Sequence, residues 1–307
     1  MNIILLSPIA RELLTDAQVN RLQALGSLTI IEAIQPLQSI QELCEGGQEP
    51  LILAIDPDFC DWKITRDDIA KMTNVKAIVL QTTSFSYVDV AFCRERGITV
   101  VNLPGFSSNA VAEWAIMAAL NLARKIPLLI KDRWKLDFVE HRGMELRGKT
   151  AGIIGLGRIG KLVAETCQGL GMQVHYWSRQ TRDERFTYTE LTTLFSTADL
   201  VFLCLPSNEQ TSSLISDDML TSMKKSALFV RTGFAPNHQL LLSMVENGHL
   251  SGYAFGEDTS TFSECVGNVW ASPPNAWLTK ESVQRNAEQW VEAIVSANRG
   301  DFPTAVN

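Results

Sequence analysis

Short apolar runs and longer periodic segments alternate along this chain of 307 residues. Strands buried on both faces are predicted at the continuous apolar runs Asn2–Leu6, Leu51–Ile55, Ala77–Leu80 and Thr99–Asn102. Segments with helical periodicity lie between these runs. This alternation is typical of βαβ units, so the pattern predicts an α/β fold with parallel sheets.

The same alternation continues in the second half of the chain. A mostly apolar segment from Pro104 to Pro127 predicts a buried helix that Pro127 helps to end. Further elements are predicted as strands at Thr150–Ile154, Gln173–Trp177, Leu200–Leu205 and Ala227–Arg231, with a helix from Arg158 to Leu170. The segment Lys280–Asn298 is amphipathic, and we expect a C-terminal helix that packs back on the first lobe.

Composition and charge narrow the class of protein. With 46% hydrophobic and 20% charged residues, the chain is long enough for two ordinary domains with real cores. A net charge of −7 argues against nucleic acid and favours a small-molecule substrate. The six cysteines form no CxxC pair, so we expect no metal site and no disulfide framework. The first residues lack the features of a secretory signal and no apolar run reaches membrane length, so a cytoplasmic location with no membrane partner is expected.

A glycine-rich motif marks a dinucleotide site. Gly155-Leu156-Gly157-Arg158-Ile159-Gly160 directly follows the predicted strand TAGII and opens a predicted helix, which is the context that makes GxGxxG specific. Gly155 permits a tight turn, Gly157 lets the backbone approach a pyrophosphate, and Gly160 allows close packing of helix and strand. The sequence therefore predicts a Rossmann-type site for a nicotinamide dinucleotide.

The residues after the next strand favour NADP(H). Sites that prefer NAD place an Asp or Glu about 20 residues after the glycines, where it binds the ribose 2′-hydroxyl. Here the strand QVHYW ends in Ser178-Arg179, with Arg182 close behind and no acid at the strand end. A hydroxyl and a guanidinium bind a 2′-phosphate, so NADP(H) is the preferred cofactor and NAD(H) the alternative.

With these residues placed, the chain resembles the D-isomer-specific 2-hydroxyacid dehydrogenase superfamily nearly end to end. The segments that carry the resemblance are RERGITVVNLPGFSSNAVAEWAI, ELRGKTAGIIGLGRIGK, ADLVFLCLPSNEQTSSLI, MKKSALFVRTG, ENGHLSG and NVWASPPNAWLT. The WSR ending of the second strand is similar to the NADPH-dependent glyoxylate/hydroxypyruvate reductase branch.

The resemblance implies an architecture and a set of cofactor contacts. It implies two Rossmann-like lobes, one flavodoxin-like and one NAD(P)-binding, with the cofactor in the cleft between them. Residues 1–102 plus 281–307 would form the outer substrate domain and residues 103–280 the dinucleotide-binding domain, and the helix around Val111–Leu122 would pair two subunits in a homodimer. By position, the cofactor contacts would be Gly155, Gly157, Arg158, Ile159, Gly160, Ser178, Arg179, Leu205, Pro206, Thr211, Arg231 and Thr232.

The family's catalytic pattern is replaced. Relatives use an Arg for the substrate carboxylate, a His as general acid or base and a Glu that controls the His, because hydride transfer to a ketone builds negative charge that a proton donor must quench. Pro274 stands at the His position and cannot exchange a proton. The Arg position falls on Phe234-Ala235 or on Thr232-Gly233, depending on the direction of counting, and Arg231 is the nearest guanidinium.

The remaining catalytic candidates are weak. Gly256 replaces the usual Asp, and the local acids are Glu257, Asp258 and Glu264. Of the histidines, only His238, in the shortened loop past Phe234, is expected near the cleft, and Tyr87 is a further candidate proton donor. In the substrate loop, Gln81 to Tyr87 replace a glycine-rich turn whose N–H groups bind the carboxylate in relatives. An aromatic cavity is a further hypothesis, lined by Phe85, Tyr87, Trp134, Phe234 and Trp277, against the alternative of ordinary core packing.

Three functions remain open. The first is an NADP(H)-dependent oxidoreductase with altered chemistry and a non-standard substrate, bulkier or less acidic than a 2-keto acid. The second is a non-catalytic NADP(H)-binding sensor or assembly protein, which the loss of Arg, Glu and His favours. The third is an ordinary 2-keto acid reductase with displaced catalytic residues. Fold alone does not choose among them.

Overall fold

The computed structural model describes residues 1–44, 49–234, 236–257 and 265–307. The chain divides into two compact units. Unit 1 comprises residues 1–107 together with 279–307, and unit 2 comprises residues 108–278. The chain therefore leaves unit 1 once and returns to it at its C-terminal end.

Unit 1 contains a parallel five-stranded sheet with the strand order β2-β1-β3-β4-β5. Its strands are β1 Asn2–Leu6, β2 Leu28–Ile31, β3 Leu51–Ile55, β4 Val75–Leu80 and β5 Thr99–Val101. Its helices are α1 Ala10–Leu13, α2 Asp16–Gln23, α3 Gln41–Cys44, α4 Arg66–Lys71, α5 Val90–Glu95 and the C-terminal α13 Lys280–Asn298, with 3-10 turns at Leu37–Ser39 and Pro57–Cys60.

Both faces of this sheet are buried. Along β1, Ile4 and Leu6 pack into one core, and Ile3 and Leu5 pack into the core on the opposite face. Successive residues of a strand point to opposite faces, so burial on both faces explains the continuous apolar runs of the sequence. Helix α13 covers one face and inserts Trp290, whose Nε1 donates a hydrogen bond of 3.1 Å to the carbonyl of Val79.

Unit 2 contains a parallel seven-stranded sheet with the strand order β12-β11-β10-β9-β6-β7-β8. Its strands are β6 Thr150–Ile154, β7 Gln173–Trp177, β8 Thr187–Tyr188, β9 Leu200–Leu203, β10 Leu228–Arg231, β11 Gly252–Gly256 and β12 Val269–Ser272. Its helices are α6 Ser108–Ala123, α7 Ile126–Lys131, α8 Arg158–Gly169, α9 Leu191–Thr197, α10 Glu209–Ser212, α11 Asp217–Thr221 and α12 His238–Glu246.

The strand order of unit 2 creates a crevice at one edge of the sheet. β6 lies between β7 and β9, so the chain builds the sheet outward from β6 first on one side and then on the other. Connections that leave β6 and β9 therefore diverge at the carboxyl ends of these strands. In open α/β sheets, ligands bind at such a switch point. The glycine motif follows β6 and lies at this edge.

The α/β fold with parallel sheets that the sequence predicts is confirmed, and three local predictions need correction. β9 ends at Leu203 rather than at Leu205. Helix α6 ends at Ala123, and Pro127 is the second residue of the next helix instead of ending this one. A proline is well accommodated in the first turn of a helix, where its missing N–H leaves no bond unmade. His238 is the first residue of α12 and not part of a loop.

None of the helices in the described ranges combines the length and apolar character needed to cross a bilayer.

Replacing Trp290 by Phe should destabilise unit 1. The substitution deletes the hydrogen bond to Val79 and leaves space in a fully buried position, so we expect a loss of about 2 to 4 kcal/mol in the free energy of unfolding. Urea unfolding of the full chain measures it. Glu288→Ala, on the exposed side of α13, is the matched control and should change stability by less than about 0.5 kcal/mol.

Candidate functional site

The first glycine of the motif makes the turn out of β6. Gly155 has a φ of 96°, in the left-handed region that side chains disfavour. A Cβ at this position would lie 2.8 Å from Leu205 Cδ2 and 3.0 Å from the carbonyl oxygen of Cys204. Both the backbone conformation and the neighbouring chain therefore require glycine here.

The second and third glycines differ in what surrounds them. A Cβ at Gly160 would lie 2.0 Å from the carbonyl oxygen of Gly155, so α8 can pack this close to the turn only with glycine at this position. A Cβ at Gly157 would meet nothing within 4 Å. Gly157 is the N-cap of α8, and no side chain caps the helix there. The N–H groups of Arg158 and Ile159, in the first turn, have no partner within the helix, and the space beside Gly157 is open; both features suit a diphosphate.

The end of β7 carries a fixed guanidinium. Ser178 is buried, and its Oγ accepts a hydrogen bond of 3.3 Å from the N–H of Thr181. Arg182 Nη1 donates to the carbonyls of Ser178 at 2.8 Å and Thr181 at 3.0 Å, while its guanidinium lies 4.1 Å from the ring centroid of Tyr188. Arg179 is exposed and donates to Gln210 Oε1 at 2.8 Å. Two positive side chains therefore flank the strand end.

The nearest acid after β7 is already paired. Arg185 donates to Asp183 at 2.7 Å and to Glu165 at 2.8 Å. The hydrogen bonds from Arg185 lower the pKa of Asp183 to about 2. The charge of this carboxylate is compensated by Arg185, so the edge beside Ser178 keeps its positive character.

The other predicted cofactor contacts lie at the ends of β9 and β10. Thr211 is fully buried, and its hydroxyl donates to the carbonyl of Pro206 at 2.7 Å. The N–H of Phe234 donates to the carbonyl of Leu205 at 3.1 Å, and Thr232 Oγ1 donates to Leu203 at 3.2 Å. Because parallel strands end at one edge, the structure brings these residues, the glycine turn and Ser178 to the same edge of unit 2. Thr211 and Thr232 hold the loops with their side chains.

The two weak catalytic candidates of unit 2, Arg231 and His238, belong to one hydrogen-bonded cluster. Arg231 Nε donates to Tyr253 Oη at 2.8 Å, and Arg231 Nη2 forms an ion pair with Glu257. His238 Nδ1 lies 3.1 Å from the same Tyr253 Oη, and His238 Nε2 lies 4.0 Å from Glu257 Oε2. We call these four residues the Arg231 cluster.

Burial shifts the pKa values of two residues in the Arg231 cluster, His238 and Tyr253. Desolvation, helped by the positive charge of Arg231, lowers the pKa of His238 below its ordinary value. Burial raises the pKa of Tyr253 to about 12, so its hydroxyl keeps its proton at neutral pH. Arg231 is 5% exposed and uses Nε and Nη2 within the cluster, with Nη1 on the carbonyl of Gly233 at 3.3 Å. Its charge is therefore compensated inside the protein.

The Arg231 cluster adjoins the positions where relatives carry catalytic residues. Thr232 and Gly233 follow Arg231 directly. The N–H of Glu257 donates to the carbonyl of Ser272 at 3.0 Å. A Cβ at Gly256 would lie 3.7 Å from Pro274 Cα. Phe234, by contrast, packs in the core of unit 2, and Ala235, Asp258 and Glu264 lie outside the described residues.

The residues of the proposed aromatic cavity belong to different units and differ in burial. Phe234 belongs to the core of unit 2, and Tyr87 packs against the core of unit 1, with its ring 5.4 Å from that of Trp62 in an edge contact. Trp134 is 66% exposed, and Phe85 and Trp277 are exposed as well. Burial raises the pKa of Tyr87, which makes it a poorer acid, and within the described ranges its hydroxyl has no hydrogen-bond partner.

In unit 1, the carbonyl oxygens of the loop that replaces the glycine-rich turn accept hydrogen bonds that hold the loop in place. Asn286 Nδ2 donates to the carbonyl of Gln81 at 3.0 Å, and Asn102 Nδ2 donates to that of Thr83 at 2.7 Å. The N–H of Leu103 donates to the carbonyl of Thr82 at 2.9 Å. Both asparagines are buried, and neither was predicted to contribute. An amide on the apolar face of α13 is the signal that could have identified Asn286.

Comparisons with known proteins agree with this arrangement. The family model for the D-isomer specific 2-hydroxyacid dehydrogenase NAD binding domain matches residues 116–265. A hydroxypyruvate reductase of Thermotoga maritima is 30% identical over 250 residues, covering 76% of this chain and 80% of the relative. A glyoxylate reductase of Thermofilum pendens is 28% identical over 264 residues, covering 80% of this chain and 78% of that protein. The solved structure of an acyclic imino acid reductase, Bsp5, in complex with NADPH and D-Arg has a TM-score of 0.85 and 23% identity, with both chains fully covered.

Replacing Gly157 and replacing Gly160 by alanine should have different effects on stability. Gly160→Ala forces α8 away from Gly155, so we expect about 2 to 4 kcal/mol of destabilisation in thermal or urea unfolding. Gly157→Ala adds a methyl group to open space at an ordinary φ of −83° and should change stability by less than about 1 kcal/mol. Equal losses in both variants would contradict the assigned roles.

Proposed function

Because the chain belongs to the D-isomer-specific 2-hydroxyacid dehydrogenase superfamily, we propose that it is an NADP(H)-dependent oxidoreductase with an atypical active site and a non-standard substrate. The assignment of the cofactor rests on one observation. The N-terminus of α8, which no side chain caps, and the positively charged side chains that follow β7 lie at the same edge of the unit 2 sheet. In this proposal unit 2 binds the cofactor and unit 1 contributes to substrate binding.

The described residues fit a dinucleotide phosphate. The open space before Gly157 and the first-turn N–H groups of α8 would hold the diphosphate. Ser178, Arg179 and Arg182 would hold the 2′-phosphate, since guanidinium groups bind phosphate oxygens by charge-assisted hydrogen bonds. Leu205, Pro206 and Thr232 would border the nicotinamide side. Once bound, NADPH supplies a hydride for reduction of a carbonyl or imine carbon.

NADPH is favoured over NADH by preorganisation. Arg182 is already held by two carbonyls and stacked on Tyr188, so little side-chain entropy is lost when a phosphate binds. Asp183 is paired with Arg185, so it does not compete for Arg182. Like this chain by fold, the imino acid reductase was solved with NADPH, which supports a nicotinamide cofactor.

Two features of this chain support a substrate other than a 2-keto acid. The position of the family's histidine is Pro274, and the guanidinium of Arg231 is compensated by Glu257. A substrate carboxylate would compete with Glu257 for this guanidinium. Imines belong among the compounds to test, because an imino acid reductase shares the fold. The same two observations also favour a second candidate, a non-catalytic NADP(H)-binding protein, and turnover distinguishes the two.

Removing single positive charges tests the proposed preference for NADPH over NADH. Arg182→Gln and Arg179→Gln should each weaken NADPH binding about 10- to 100-fold and leave NADH binding within about twofold, because each removes a charge-assisted contact to the 2′-phosphate. Fluorescence titration of bound NADPH and NADH measures both affinities. Arg21→Gln, in an exposed ion pair with Glu292 in unit 1, is the matched control and should keep the preference of the wild type.

A substrate panel tests the reaction. NADPH oxidation is followed with glyoxylate, hydroxypyruvate, uncharged ketones and imines. Turnover of ketones or imines above that of the two keto acids supports the proposal. Tight NADPH binding with no turnover of any compound supports the non-catalytic protein, and failure of both nucleotides to bind at micromolar concentration contradicts the cofactor assignment.

We further propose a homodimer built on apolar surface of unit 2. The exposed apolar side chains are Met117 and Leu120 of α6 and Ile130, Trp134, Leu136, Phe138 and Val139 in and after α7. The segment is held in shape by the contact of His141 Nε2 with Asp132 at 2.9 Å and by the bond from Lys125 Nζ to the carbonyl of Glu140 at 2.7 Å. Several exposed large apolar side chains in one segment are typical of an interface.

Phe138, which is 80% exposed, offers a direct test of the dimer. Phe138→Asp with Leu136→Asp should convert the protein to monomers in sedimentation equilibrium while NADPH affinity stays within about twofold, because charges at a desolvated contact oppose association. Ile34→Asp, which changes an exposed apolar residue of unit 1, is the control. A wild-type protein that is monomeric at micromolar concentration contradicts the proposal.

A further inference from the structure

A pocket of about 430 Å³ opens beside the Arg231 cluster. Its lining includes the apolar residues Leu242, Phe255 and Val266 and the polar residues His238 and Glu257. Gln239, Ser243, Glu246 and Cys265 complete the lining. A volume of this size is typical of pockets for small organic molecules.

The hydrogen bonds of the Arg231 cluster fix which nitrogen of His238 carries the hydrogen. A guanidinium only donates, so the oxygen of Tyr253 accepts from Arg231 Nε at 2.8 Å. Among the described residues, His238 Nδ1 at 3.1 Å is the acceptor within reach of the single hydrogen of this phenol, so we assign Nδ1 as the acceptor. The neutral ring therefore carries its hydrogen on Nε2.

Nε2 of His238 is the donor that this arrangement leaves for a ligand. It lies 4.0 Å from Glu257 Oε2, beyond hydrogen-bond length, and it has no hydrogen-bond partner in the described part of the chain. The titratable groups that face the ring are Arg231 from β10, Tyr253 and Glu257 from β11 and its end, and Glu246 and Cys265 across the pocket. Burial and Arg231 lower the pKa of His238, so the ring stays neutral at pH 7.

The charges around the pocket select against an anion. Glu246 and Glu257 both line it, and none of its described lining residues is Lys or Arg. Arg231 is 6% exposed as a side chain and is paired with Glu257. Lys131 Nζ donates to the carbonyl oxygens of Cys265 at 2.8 Å and Gly267 at 2.7 Å. A carboxylate entering here would meet two carboxylates, and both of these cations already have partners.

We propose that this pocket is the substrate carbonyl site: neutral His238 donates a hydrogen bond from Nε2 to the oxygen of an uncharged ketone or aldehyde, whose apolar part packs on Phe255 and Leu242. The inference rests on the proposed redox function and specifies its substrate class. A neutral imidazole with a fixed tautomer can polarise a carbonyl. The hydride would come from NADPH and the proton that the resulting alkoxide takes up would come from solvent. Tyr253 and Arg231 act as positioning residues, because they hold the tautomer of His238 and need not touch the ligand.

Two probes that differ in one group test the charge selection. Acetophenone and phenylglyoxylate share the aryl ketone, and phenylglyoxylate has a carboxylate in place of the methyl group. The NADPH-loaded full chain should bind acetophenone at least about tenfold more tightly than phenylglyoxylate. Glu257→Gln removes the counter-charge of Arg231 and should shift this ratio at least about fivefold toward phenylglyoxylate. Equal binding of the two probes by the wild type, or an unchanged ratio in the variant, overturns the proposal.

A readout independent of turnover tests the tautomer. Nitrogen-15 NMR of the four histidines in the nucleotide-free protein, with His238 assigned by its loss in His238→Phe, should report the Nε2–H form, and acetophenone should shift the Nε2 signal. Tyr253→Phe should abolish the tautomer preference while the thermal unfolding profile keeps one cooperative transition. An Nδ1–H form, or no shift with acetophenone, overturns the proposal.

Loss of the donor should weaken acetophenone binding. His238→Phe keeps a planar ring and should reduce acetophenone affinity about tenfold with NADPH affinity unchanged, whereas His249→Gln, on the exposed turn after α12, should change neither. Unchanged acetophenone affinity in His238→Phe overturns the carbonyl site. If NADPH fails to bind while acetophenone still shifts His238, the redox function is wrong and the pocket assignment stands.

Discussion

The close approach of α8 to the end of β6 is the contact on which the candidate cofactor site depends. It requires the absence of a side chain at Gly160, whose Cβ would overlap the carbonyl of Gly155. That contact places the helix N-terminus directly after the strand, where its unpaired N–H groups face open space before Gly157. An ordinary turn would separate helix and strand, and the helix dipole would no longer lie over the sheet edge. The remaining predicted contacts are positioned by parallel strands that end at this same edge.

Ion pairs give the region after β7 and the region after β10 in unit 2 different electrostatic character. At the end of β7, the acid Asp183 is neutralised by Arg185, and Arg182 remains available to bind an anion. At the end of β10, Arg231 is neutralised by Glu257, and the nearby pocket keeps carboxylates. One end of the edge therefore attracts an anion and the other disfavours it. A 2′-phosphate suits the first end, and a neutral reacting group suits the second.

The sequence predicts features that recur along the chain or that only one residue type can satisfy. Continuous apolar strands and GxGxxG after a strand are of this kind, and the structure places both as expected. Short edge elements such as β8, with two residues, are too brief to leave a periodic pattern. The break between α6 and α7 depends on the positive φ of Lys125, which the lysine side chain does not require, so the sequence does not indicate that Pro127 lies in the first turn of a new helix.

Side-chain pairing between distant segments is what sequence reasoning could not supply for the catalytic region. Arg231 and His238 are recognisable as candidates, but Tyr253, which joins them, reads as an ordinary strand residue. Its hydroxyl matters only because β10 and β11 are neighbours in the sheet and α12 begins at His238. The same pairing changes the meaning of Arg231, since a guanidinium that looks available for a substrate carboxylate is already neutralised by Glu257. Burial and the charge of Arg231 lower the pKa of His238 within this network, and the pocket beside it carries carboxylates. These two features are the physical basis of our proposal that the site takes an uncharged carbonyl rather than a keto acid.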